Sequence, residues 1–136
     1  MTRHLKTKEV DKEMYIVFLK KAEENTDSAE NNLKLGRNNA AAVSAVHGAI
    51  SAADALCAFS LAKRSASESH KDAAALIMMT KFSREANVRM AKLFESIISI
   101  KNMAEYEQRL VKPKDAERAV REAVDLLAAV KAAIRA

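Results

Sequence analysis

Cysteine is nearly missing from this sequence: Cys57 is alone among 136 residues. One thiol cannot close an intrachain disulfide. The opening stretch MTRHLKTKEVDKEM lacks the apolar core of a secretory signal, so a reducing, cytoplasmic setting is expected. Glycine occurs twice, at Gly36 and Gly48, which rules out a phosphate-cradling glycine loop. With one proline and 4% aromatic residues, the chain is poor material for turn-dense β architecture. The three histidines, His4, His47 and His70, are scattered, there is no cysteine pair, and the Glu-x-x-His pairs of di-iron bundles are missing. No metal or cofactor is expected on those grounds.

A large excess of one charge is also lacking. The net charge of +5 is modest, and charges of both signs are interspersed. Contact with RNA or an acidic partner is permitted but not demanded. The 23 residues from Ala40 to Ala62 are long enough to span a bilayer and carry one formal charge, Asp54. Alanine, serine and glycine dominate that segment, and a central aspartate is costly in lipid, so it reads as a buried helix.

What the chain does have is alanine, leucine, lysine and glutamate, all strong helix formers. An all-α domain of about five helices in an up-and-down bundle is expected over residues 1–136, with 1–8 frayed. The first helix is predicted from Glu9 to Leu35, with Val10, Met14, Val17, Phe18, Ala22, Ala29 and Leu33 on one stripe. Gly36 should cap it in the left-handed conformation. Asn38 or Asn39 should cap a second helix that runs to about Arg64. Its small residues, Gly48, Ala49, Ala52 and Ala55, would let another backbone approach closely.

A short third helix is predicted from Ser69, which has capping-box spacing to Asp72. After a break over 80–83, a fourth should reach Met103. Met90, Leu93, Phe94, Ile97, Ile98 and Ile100 cover more than one stripe of it, an excess that suggests contact with another subunit. The flanks of SIISI keep helical period, so a strand is not predicted there. Pro113 should open the last helix, whose stripe is Ala116, Val120, Ala123, Leu127, Val130 and Ile134, with Glu117 and Arg121 as an i,i+4 pair.

AVSAVHGAISAADAL (Ala42–Leu56), His70 opening a short helix, and AEYEQRLVKPKDAERAVREAVDLLAAV (Ala104–Val130) together resemble a HEPN domain, a helical bundle named for its occurrence in higher eukaryotes and prokaryotes. The resemblance covers almost the whole chain. It implies a homodimer, frequent partnership with a minimal nucleotidyltransferase, and, in many members, metal-independent RNA cleavage of the toxin type. Its nuclease signature is an arginine, four to six residues, then a histidine. RSASESH (Arg64–His70) fits that pattern with five intervening residues. In many relatives the signature falls later, as Arg-Asn, a histidine and an aromatic residue. Here Lys101, Asn102 and Tyr106 stand in that region, with no histidine among them.

Cleaving RNA without a metal needs a base for the 2′-hydroxyl proton and a cation for the phosphate, roles that suit His70 and Arg64. In one continuous helix, six steps of roughly 100° would hold these side chains about 120° apart, so they converge only if the serine-rich segment bends or if two copies meet across a dimer. The simpler reading has Arg64 near a helix C-terminus and His70 facing solvent. His47 and Asp54, seven apart with Ser51 between them, are polar-cleft candidates: the simpler reading is a hydrogen-bonded stripe at an interface, the functional one that Asp54 helps line a polar cleft beside the serine-rich turn. Cys57 reads as a small core residue. A helix-turn-helix is disfavoured, since Glu117, Glu122 and Asp125 offset Lys114, Arg118 and Arg121. Binding is the expected activity, with catalysis as the alternative.

Overall fold

The computed structural model describes residues 5–67, 69–107 and 109–135. The chain is 77% helical. Five helices have nine residues or more: α1 (Tyr15–Lys34), α2 (Asn38–Leu61), α3 (His70–Met78), α4 (Arg84–Ile98) and α6 (Pro113–Arg135). A one-turn α5 (Lys101–Glu105) follows α4. Two three-residue strands, β1 (Thr7–Glu9) and β2 (Lys63–Ser65), pair antiparallel, with Lys8 opposite Arg64. The expected all-α bundle is what forms.

α2 is the hub. It packs on α1 along most of its length, and on α6, α4, α5 and β2 as well. Its buried residues are mostly alanines, joined by Val46, Gly48, Leu56 and Cys57. Side chains this small let neighbouring backbones close in, so the bulk of the core comes from the surrounding helices. Phe94, Ile77, Met90, Ile97, Ile100, Leu126 and Val130 supply it, each fully buried. By length and composition alone α2 could cross a membrane, but 61% of its most apolar window is covered by the rest of the bundle.

Several boundaries differ from the sequence-based expectation. α1 starts at Tyr15, not Glu9, because Asp11 is extended and Lys12–Met14 makes a 3-10 turn. Its inward face runs through Ala22, Thr26 and Ala29, while Met14 and Val17 are exposed. The expected fraying over 1–8 is corrected for Thr7 and Lys8, which pair with β2; residues 1–4 lie outside the described residues. Neither Asn38 nor Asn39 caps α2 through its side chain. Asn39 instead donates to the Ala104 carbonyl at 2.8 Å and accepts from the Val111 amide at 3.4 Å, tying α2 to the chain around α5. Gly36 does cap α1, at φ 73°. Arg37 N–H bonds to Asn32 O and Gly36 N–H to Leu33 O, the paired pattern of a Schellman motif.

The predicted fourth helix is two. α4 ends at Ile98, and a turn at 99–100 starts α5. Its apolar excess is used inside the chain: Met90, Phe94 and Ile97 are buried, and α4 packs on α3, α6 and α2. The argument from that excess to a second subunit therefore falls. On α6, Leu126 is buried where Leu127 was expected, and Leu127 is half-buried against the same core. Within α6 the described i,i+4 ion pair is Arg118–Glu122 at 3.4 Å rather than Glu117–Arg121, with Ser96 of α4 bonded to both partners at 2.7 Å.

Candidate functional site

The decisive local event is the end of α2. Ala62 adopts the left-handed conformation, φ 53° and ψ 36°, and its N–H still bonds to Ala58 O. A left-handed residue stops the helix and swings the chain into an extended path. Lys63–Ser65 then runs as β2 along β1, framed by Val10 N–H to Ala62 O and Ala66 N–H to Lys6 O. Arg64 is thus on a strand, not at a helix C-terminus. Two serines shape the return to α3: Ser67 N–H bonds to Ser65 Oγ at 3.4 Å and Ser69 N–H to Ser67 Oγ at 3.0 Å. The Ser69 side chain does not cap α3.

This path brings Arg64 and His70 to the same pocket, which has a volume of about 330 Å³. α2 contributes Ile50, Ala53 and Asp54; β2 and the following turn give Arg64, Ser65, Ala66 and Ser67. α3 adds His70 and Ala73, and α4 closes the floor with Phe94. Its lining mixes polar and apolar side chains, a common form for small-ligand sites. His47 is not part of it. It is exposed, next to Gly48 in the chain, so of the two cleft candidates Asp54 lines the pocket beside the serine-rich turn and His47 does not.

Asp54 is pushed up to about 6 from its ordinary carboxylate value, chiefly by burial; Arg64 and Lys21 act in the opposite direction. No described ion pair joins Asp54 to Arg64, although both line the pocket. His70 is held below its ordinary value, first by burial and then by Lys101, partly offset by Glu105. Its Nε2 is shielded from solvent and has no hydrogen-bond partner among the described residues. Its ring lies 6.4 Å from that of Phe94, tilted by 60°. His70 is thus neutral near pH 7 and faces inward, contrary to a solvent-facing histidine.

The pocket therefore offers one fixed cation, one neutral imidazole, one carboxyl near its midpoint and two serine hydroxyls. That set can hold an anionic group and, through His70, accept a proton. Among the described residues no group of three His, Cys, Asp or Glu side chains could hold a metal ion. Cys57 lies apart, buried, with its thiol pushed up to about 12 by burial and by Asp54, which leaves it inert as a nucleophile. No family model matches the chain, and no curated protein or solved structure is found similar to it.

Ser65 and Ser67 were missed as pocket residues. Their signal was present in the serine-rich break, but only the turn at Ala62 decides which way they face.

Proposed function

We propose that this chain is a HEPN-like interaction module that binds RNA or a nucleotide through the pocket between Arg64, His70 and Asp54. On this reading it acts in the cytoplasm as a homodimer, with a minimal nucleotidyltransferase as its partner. The observation that carries the binding reading is the convergence of those three side chains, from a strand and two helices, on one cavity with an apolar floor. Arginine's fork suits phosphate oxygens, and Phe94 and Ile50 offer an apolar seat for a base or sugar. Exposed apolar side chains such as Ile16 and Val17 on α1 are available to a partner surface.

The test is fluorescence anisotropy with a short labelled RNA, comparing wild type with Arg64→Ala. Saturable binding by the wild type, weakened at least tenfold in the variant, is expected. Equal binding by both proteins removes the pocket from the account. Light scattering at micromolar concentration tests the dimer, and a monodisperse monomer would count against it.

A second reading is motivated by His70 lining the same pocket as Arg64, with its pKa held down by burial. A neutral imidazole beside an arginine is equipped for metal-independent endoribonuclease chemistry. His70 would take the 2′-hydroxyl proton as that oxygen attacks phosphorus. The P–O5′ bond would break, leaving a 2′,3′-cyclic phosphate and a 5′-hydroxyl that takes up a proton from the His70 imidazolium or water, while Arg64 would steady the charge on the phosphate. Incubation with RNA in EDTA, beside His70→Ala, decides it. Identical behaviour of the two proteins eliminates cleavage.

A further inference from the structure

We infer that Asp54 sets the anion affinity of the pocket, so that binding of a phosphodiester is coupled to proton uptake at its carboxyl. The inference rests on the binding reading above and assigns a role within that site that neither sequence motif contains. The geometry is the starting point. Asp54 and Arg64 line the same 330 Å³ pocket, and no described ion pair joins them. A bound phosphodiester would lie between this cation and this carboxyl. An ionised Asp54 then repels the ligand, while a protonated one offers it a hydrogen bond.

The charged neighbours are few enough to name. Lys21 reaches Asp54 from α1 and Arg64 from β2, and both favour its ionised form. α3 brings His70, α4 brings the apolar Phe94, and Cys57 on the same helix is neutral. Lys101 and Glu105 of α5 act on His70. Burial already makes ionisation of Asp54 costly, so a nearby anion has only to finish a shift that has begun.

The sign follows from linkage. An anion beside Asp54 raises its pKa in the complex above the value in the free protein, so affinity rises as pH falls through that interval and is flat on either side. His70 would act in the same direction, and a variant separates the two.

The experiment uses uridylyl-uridine methylated at the reacting 2′-hydroxyl. It carries one negative charge throughout the range, has no group that titrates between pH 5.5 and 8, and cannot be cleaved by attack of that hydroxyl. Titration calorimetry of the full chain should show affinity rising about tenfold from pH 8 to pH 5.5. Asp54→Asn should bind at pH 8 as the wild type does near pH 6 and should lose most of the slope, whereas His70→Gln should keep it. Wild-type titrations in two buffers of different ionisation enthalpy should show net proton uptake at pH 6.5, a readout that does not depend on any variant folding. A flat wild-type profile, no proton uptake, or a slope that vanishes with His70→Gln and survives in Asp54→Asn overturns the inference and leaves the site standing. No saturable binding at any pH, with Arg64→Ala indistinguishable from wild type, overturns the site and the inference together.

Discussion

Gly48 meets Thr26 where α2 crosses α1, so closely that a β-carbon on the glycine would lie 2.9 Å from the Thr26 hydroxyl oxygen. Alanine would favour the helix by about 1 kcal/mol, but overpacking costs about 1–3 kcal/mol. Gly48→Ala is therefore expected to destabilise the protein by about 1 kcal/mol in urea unfolding. In a Thr26→Ala background the same change should become neutral or stabilising, because the obstructing oxygen is gone. Additive effects in this double-mutant cycle would show that the seam is looser than the contact implies.

Ala62 sits where glycine would be at ease. A non-glycine residue in the left-handed region costs about 1–2 kcal/mol, and glycine adds back part of that as chain entropy in the unfolded state. Ala62→Gly should raise stability by about 0.5–1 kcal/mol, measured by thermal unfolding. A loss would mean that the Ala62 methyl makes packing contacts worth more than the strain.

Asp54 weakens the fold at neutral pH. Its pKa moves from 3.8 to about 6 on folding, so the native state holds the proton more tightly. The stability that proton confers is fully present below pH 3.8 and is lost as pH rises to about 6. At 1.36 kcal/mol per unit, the loss at pH 7 is about 2–3 kcal/mol. Asp54→Asn should raise the melting temperature at pH 7.5, and its advantage should vanish below about pH 4. An advantage of the same size at both pH values would place the cause elsewhere.

His70 moves in the opposite sense, with its folded pKa below the unfolded one. The neutral form suits the folded protein, so stability is lost as pH falls through about 6.5 and is unaffected above it. His70→Gln should flatten that acid limb in pH-dependent unfolding. An unchanged limb would assign it to other groups.

Asn87 holds the α3–α4 junction. Its Nδ2 donates to Thr80 O at 2.9 Å, and its Oδ1 lies 2.9 Å from Thr80 Oγ1, which also approaches Ile77 O at 2.7 Å. All of this is buried, so Asn87→Ala would leave polar groups without partners, at a cost of about 1–3 kcal/mol. Chemical denaturation measures it, and a change under 0.5 kcal/mol would mean that water fills the gap.

Helical period made the bundle readable from the residues, because each long helix repeats its apolar side chains every three or four positions. Gly36 and Pro113 marked their turns through backbone chemistry that no other residue supplies as well. The break at Ala62 left no such mark: alanine is the best helix former, and only the pairing of Lys63–Ser65 with a strand far earlier in the chain explains why the helix stops. The same gap hid how Arg64 and His70 meet. Their spacing suggested the pair, but the bend that unites them is tertiary. Asn39 shows the limit in another form, since a residue with every local reason to cap α2 is drawn off by a carbonyl of α5. On α4 the apolar surplus was legible, and its destination was not, because period tells how much surface must be covered but not by what.

A ribbon of two three-residue strands has little stability of its own, and here it forms one rim of the cavity. Its undoing would release the arginine while the helices stay assembled, which separates the fluctuations of the cavity rim from those of the core. Amide exchange should register two tiers: rapid at Val10 and Ala66, which close the ribbon, and slow along the alanine-lined middle of the hub helix. The rim of the cavity would then open far more often than the protein unfolds.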